Sequence, residues 1–123
     1  MNKHIVIIDD CRISLEMMRS FLDNAGFSVA TSECGVYSNH LIYGQTRPDL
    51  IILDVMMPLL SGSRKAQLLK QREKSRHIPV LLVSAKEESE LQQITEETGA
   101  DGYLPKPFSP ERLLSAVRNL IAA

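Results

Sequence analysis

The sequence predicts an α/β domain with a doubly wound parallel sheet, and three observations predict it. Short apolar runs rich in β-branched residues alternate with stretches of helical periodicity, five of each. The clearest run, Leu50-Ile51-Ile52-Leu53, shows no apolar–polar alternation, as expected of a strand buried on both faces. The runs end on polar residues, which gives one edge of the sheet a distinct chemical character. At 123 residues and 44% hydrophobic, the chain fits one domain spanning 1–123 with an ordinary core.

The elements follow in order. His4 to Ile8 reads as a buried strand ending at Asp9-Asp10. Leu15, Met18, Leu22 and Ala25 recur at helical steps, and Gly26 is placed to end that helix. Phe27 to Ala30 is a weaker strand, and Gly35 to Tyr43 a polar helix closed by Gly44. Leu50 to Leu53 runs into Asp54, and a loop with Pro58 and Gly62 follows. Arg64 to Lys74 is expected to be helical, Val80 to Val83 a strand stopping at Ser84, and Glu88 to Thr98 a helix ended by Gly99. Tyr103-Leu104 forms a short last strand before Pro105-Lys106-Pro107. In the final helix Ser109 can cap, Pro110 suits the first position, and Glu111 favours the positive helix end.

Composition narrows the function classes. The formal charge is −1, so the global basic footprint of a nucleic-acid binder is missing. Charges are segregated: Arg64, Lys65, Lys70, Arg72, Lys74 and Arg76 form a basic run, and Glu87, Glu88, Glu90, Glu96 and Glu97 an acidic one. Both read first as solvated helix faces. Two cysteines, Cys11 and Cys34, make no disulfide framework. Neither a signal-peptide pattern nor an apolar run of spanning length is present, so a cytoplasmic location without membrane insertion is expected.

Ligands of doubly wound sheets bind beyond the carboxyl ends of the strands, where strand order reverses. Strand order 2-1-3-4-5 would set the first and third strands side by side and gather Asp9, Asp10 and Asp54. Ser84 and Lys106, from the ends of the fourth and fifth strands, would flank them. Crowded carboxylates repel unless a cation is present, and hard oxygens with water in the remaining positions suit Mg²⁺. An aspartate carboxylate can also be a nucleophile. Taken singly, Asp9 and Asp10 could instead begin the first helix, and Ser84 could be an ordinary turn residue.

Four segments together give the chain a resemblance to the receiver domains of two-component response regulators, the CheY-like family. They are I-V-I-I-D-D at 5–10, I-I-L-D-V-M-M-P-L-L-S-G at 51–62, V-S-A at 83–85 and G-Y-L-P-K-P-F at 102–108. The resemblance implies a flavodoxin-like (βα)₅ fold, with Asp54 accepting a phosphoryl group from a histidine kinase or phosphotransfer protein. It implies Mg²⁺ held by Asp9, Asp10, Asp54 and the Met56 carbonyl, Ser84 bonding a phosphoryl oxygen, and Lys106 pairing with Asp54 or its phosphoryl group. It further implies a cis Lys106–Pro107 bond and an aromatic switch at Tyr103 that turns inward as Ser84 moves. Slow transfer from small donors and slow self-dephosphorylation would be its only chemistry. A phosphorylation-dependent homodimer or output partner would read the face around Tyr103 and the last helix. The alternative is a receiver-like interaction module that is not phosphorylated.

Overall fold

The computed structural model describes residues 2–121; the first residue and the last two of the expected 1–123 domain lie outside the described residues. The element order is β1 (His4–Ile8), α1 (Arg12–Asn24), β2 (Ser28–Ser32), a 3₁₀ turn (Val36–Ser38), α2 (Asn39–Tyr43), β3 (Leu50–Asp54), α3 (Gly62–Gln71), β4 (Val80–Ser84), α4 (Glu88–Thr98), β5 (Gly102–Pro105) and α5 (Pro110–Ile121). All neighbouring strands pair in parallel, in the order β2-β1-β3-β4-β5. The expected (βα)₅ doubly wound fold is therefore the observed one.

Side chains of successive strand residues point to opposite faces, and the core divides accordingly. Val6, Ile8, Ile51, Leu53, Val80 and Leu82 pack with Ile42, Ala66, Leu69 and Leu91 of α2, α3 and α4. Ile5, Ile7, Leu50, Ile52, Leu81 and Val83 pack with Leu15, Met18, Leu22, Leu113 and Val117 of α1 and α5. Residues 50–53 are fully buried, which explains the unbroken apolar run. Burial of each large side chain contributes roughly 1.5–3 kcal/mol.

Several element boundaries differ from expectation, and in three elements the local reason is visible. The second strand begins at Ser28 because Phe27 still belongs to the helix stop: its N–H donates to the Leu22 carbonyl, and Gly26 takes φ 95°. The expected helix over 35–43 splits, with Tyr37 at φ −98°, ψ 21° and Ser38 Oγ donating to the Gly35 carbonyl. Serine and asparagine offer the backbone such local alternatives to a helix. The third helix starts earlier, at Gly62, because Ser61 Oγ accepts the Arg64 N–H as a cap. It ends at Gln71, where Ser75 Oγ takes the Leu69 carbonyl. The final helix begins at Pro110 as expected, with Ser109 Oγ accepting the Arg112 N–H.

Among the described residues no helix is long and apolar enough to cross a membrane. The basic run over 64–76 is not uniformly solvated. Lys65 is buried, and Lys70 lies 2.6 Å from Asp101 and donates to the Ile78 carbonyl. Placed on the α2-facing side of α3, Lys65 cannot share the solvated face that its neighbours in sequence suggest.

Candidate metal and phosphoryl site

The carboxyl edge is built by register. Ile8 pairs with Leu53 and Asp54 with Val83, so Asp9 leaves β1 beside the end of β3. The Asp9 N–H donates to the Ser32 carbonyl at 3.1 Å and the Val55 N–H to the Val83 carbonyl at 3.0 Å, which hold both strand ends. One carboxylate oxygen from each of Asp9, Asp10 and Asp54 lies within 4.8 Å of the other two. Asp9 and Asp54 are buried and Asp10 is exposed, so the cluster opens to solvent on one side.

The fifth strand supplies the cation. The Lys106 N–H donates to the Ser84 carbonyl at 2.7 Å, which extends the β4–β5 pairing by one residue. The Lys106–Pro107 bond is cis, as the resemblance implies. Lys106 Nζ lies 2.8 Å from Asp9 Oδ2 and 3.9 Å from Asp54 Oδ2. The lysine therefore bonds to Asp9 and stands in ion-pair range of Asp54, rather than pairing first with Asp54.

Backbone donors fix both buried carboxylates. Asp9 Oδ1 accepts the Cys11 N–H at 2.9 Å, and Asp54 Oδ1 accepts the Met56 N–H at 3.2 Å. Burial, then the neighbouring Asp9 charge, pushes Asp54 from 3.8 up to about 7, against the opposing pull of Lys106 and the Met56 N–H. A proton on Asp54 relieves the repulsion between its charge and that of Asp9. A dication would serve the same cluster by replacing that proton.

Ser84 is fully buried at the end of β4, and its Oγ accepts the Lys86 N–H at 3.1 Å. Its own proton remains available to an acceptor. Tyr103 is half-buried against α4, with its hydroxyl donating to Glu88 Oε2 at 3.3 Å. Partial burial and the Glu88 carboxylate push the phenol upward.

Met56, 58% exposed, lines an open groove of about 620 Å³ with Asp10, Pro58, Ser61 and Lys86. Lys86 Nζ is held by Glu90 Oε2 at 2.8 Å. This pair is not among the contacts expected from the sequence, although the (i, i+4) spacing of Lys86 and Glu90 announces it. Glu88 as partner of Tyr103 is not expected either, since no spacing rule points to it.

Comparison with known proteins agrees with this geometry. The response regulator receiver domain family model matches residues 5–118. Response regulator MprA of Mycobacterium sp. (strain KMS) is 38% identical over 117 residues, covering 95% of this chain and 50% of that protein. The phosphate regulon transcriptional regulatory protein PhoB of Pseudomonas aeruginosa is 35% identical over 119 residues, covering 97% of this chain and 52% of that protein. The chain thus spans about half the length of these curated relatives. Chemotaxis protein CheY4 of Vibrio cholerae superposes with a TM-score of 0.89 at 28% identity, over 98% of this chain and 99% of that one. On the family match, the shared sheet order and the edge cluster, the chain belongs to the response regulator receiver domain family.

Proposed function

We propose that this chain acts over residues 1–123 as one phosphoacceptor signalling unit, taking a phosphoryl group onto Asp54 from a histidine kinase or phosphotransfer protein. The observation that carries the reading is the meeting of Asp9, Asp10 and Asp54 with Lys106 at one strand edge. A carboxylate oxygen of Asp54 attacks phosphorus as the bond from phosphorus to the donor breaks, and the donor leaves with that electron pair. Lys106 meets the negative charge of the transferred group. Ser84 Oγ, whose proton has no acceptor among the described residues, donates to one of its oxygens. The new charge and acceptor oxygens favour a packing in which Ser84 moves toward phosphorus and Tyr103 leaves Glu88. That change would be read on the side carrying Tyr103 and the last helix, by an output partner or a second copy.

Mg²⁺ fits the cluster, because its donors are all hard oxygens and its open side admits water. Asp9, Asp10, Asp54 and the Met56 carbonyl would hold it. When bound it supplies positive charge that neutralises the transferring group.

Incubation with a small phosphodonor and Mg²⁺ is expected to add one phosphoryl group to the intact mass of the parent and none to Asp54→Asn. Equal labelling of the variant would reject Asp54 as acceptor. An unlabelled parent would favour the interaction module that is never phosphorylated. Asp10→Ala is expected to weaken Mg²⁺ at least about tenfold, since it removes a hard ligand and its charge. Glu97→Ala is expected to leave Mg²⁺ affinity unchanged. Titration calorimetry compares the two, and an unaltered affinity in Asp10→Ala would remove that residue from the ligand set.

A further inference from the structure

Away from the strand edge, α2 and α3 enclose a smaller cavity of about 200 Å³. Lys65, Leu68, Leu69 and Arg72 line it from one stripe of the α3 region, and Val36, Asn39, Tyr43 and Leu60 close the other sides. Lys65 is only 4% exposed, and among the described residues its ammonium has one hydrogen-bond partner, the neutral Asn39 Oδ1. An ammonium carries three donors, so two remain unmatched. No acidic residue lines the cavity, and among the described residues neither Lys65 nor Arg72 forms an ion pair. Arg72 is exposed, with its guanidinium 5.8 Å from the centre of the Tyr43 ring.

A buried charge without a counter-charge is costly, and a paired, hydrogen-bonded one is tolerated. Here the wall offers donors and no acidic group: two ammonium hydrogens of Lys65, the Asn39 amide hydrogens and the Arg72 guanidinium. That donor set matches an acceptor-only ligand of one or two negative charges. Burial and the Arg72 charge lower the Lys65 ammonium, and a bound anion would oppose both.

We propose that this α2–α3 cavity is a binding site for a small oxyanion, with buried Lys65 and exposed Arg72 and Asn39 as its donors. The shared chemistry is a compact anionic group with two or more oxygen acceptors, either phosphate or a carboxylate. The site is separate from Asp54, which does not line the cavity.

The test titrates the full chain, with chelator present, with inorganic phosphate in one arm and acetate in the other, against chloride at equal ionic strength. The amide spectrum is followed at Asn39, Leu68 and Arg72. Saturable shifts at these residues in either arm support the site, and the arm that saturates at lower concentration identifies the oxyanion class. Lys65→Met, which keeps the bulk and removes the charge, is expected to weaken that anion about tenfold or more, the loss of a charge-assisted hydrogen bond. Arg72→Gln, at an exposed position that leaves the core intact, is expected to weaken it as well. The proposal is overturned by unsaturable shifts in both arms, by shifts confined to the residues around Asp54, or by unchanged affinity in Arg72→Gln.

Discussion

Gly62→Ala is expected to destabilise the domain by about 3 kcal/mol or more, among the larger effects a single methyl can have. A Cβ built at Gly62 would stand 1.8 Å from the Asp54 carbonyl oxygen and 2.7 Å from the Val55 Cα. Both obstacles are backbone, so no rotamer change relieves the clash. The contact exists because the Gly62 N–H donates to the Val55 carbonyl at 2.9 Å, drawing the start of α3 against the end of β3. Accommodating a methyl means breaking that bond and pushing aside the strand end that aims Asp54. Urea unfolding of the parent and variant measures the loss. A Gly62→Ala protein as stable as the parent would mean that the α3 start can retreat freely from β3.

Asp54→Asn is expected to stabilise the metal-free protein, and the gain should depend on pH. Asp54 is raised from 3.8 to about 7 in the folded state, chiefly by burial and then by Asp9. Between those values the folded chain holds a proton that the unfolded chain has released, so stability falls as pH rises. The contribution of the protonated group is fully present below about pH 4 and lost as pH passes through about 7. Asparagine has no proton to lose. The variant's advantage should therefore be absent near pH 4, grow through the neutral range and level off near pH 8, at about 1–3 kcal/mol. Urea melts at several pH values with chelator present supply the curve. A flat difference between variant and parent would show that Asp54 is not forced to ionise against its surroundings.

Much of this architecture was legible in the residues because the strands are short, apolar and abruptly ended. The run 50–53 into Asp54 leaves little choice of structure, and Ser109-Pro110-Glu111 marks a helix start. The membership of the site at the strand edge followed from topology alone: once β1 and β3 are neighbours, Asp9, Asp10 and Asp54 must meet. What escaped depended on contacts between distant segments. Lys65 lies in a run of basic residues and looks solvated until α2 closes over it and Asn39 meets its ammonium. Likewise no local pattern says that Lys106 reaches Asp9 before Asp54, since that choice is set by how β5 sits against β4. Polar segments such as 35–43 resist reading because weak helix formers leave the decision to single side-chain bonds, here Ser38 to Gly35.

The bond between Lys106 and Asp9 joins residues 97 positions apart in sequence. Closing so long a loop carries an entropic cost that only a nearly completed sheet repays, and such non-local pairings form late in folding. A nascent chain still lacking β5 can therefore gather acidic side chains but not the lysine that balances them. Until β5 docks, the Asp9, Asp10 and Asp54 charges face one another without that lysine. Charge balance at this edge therefore depends on the docking of β5.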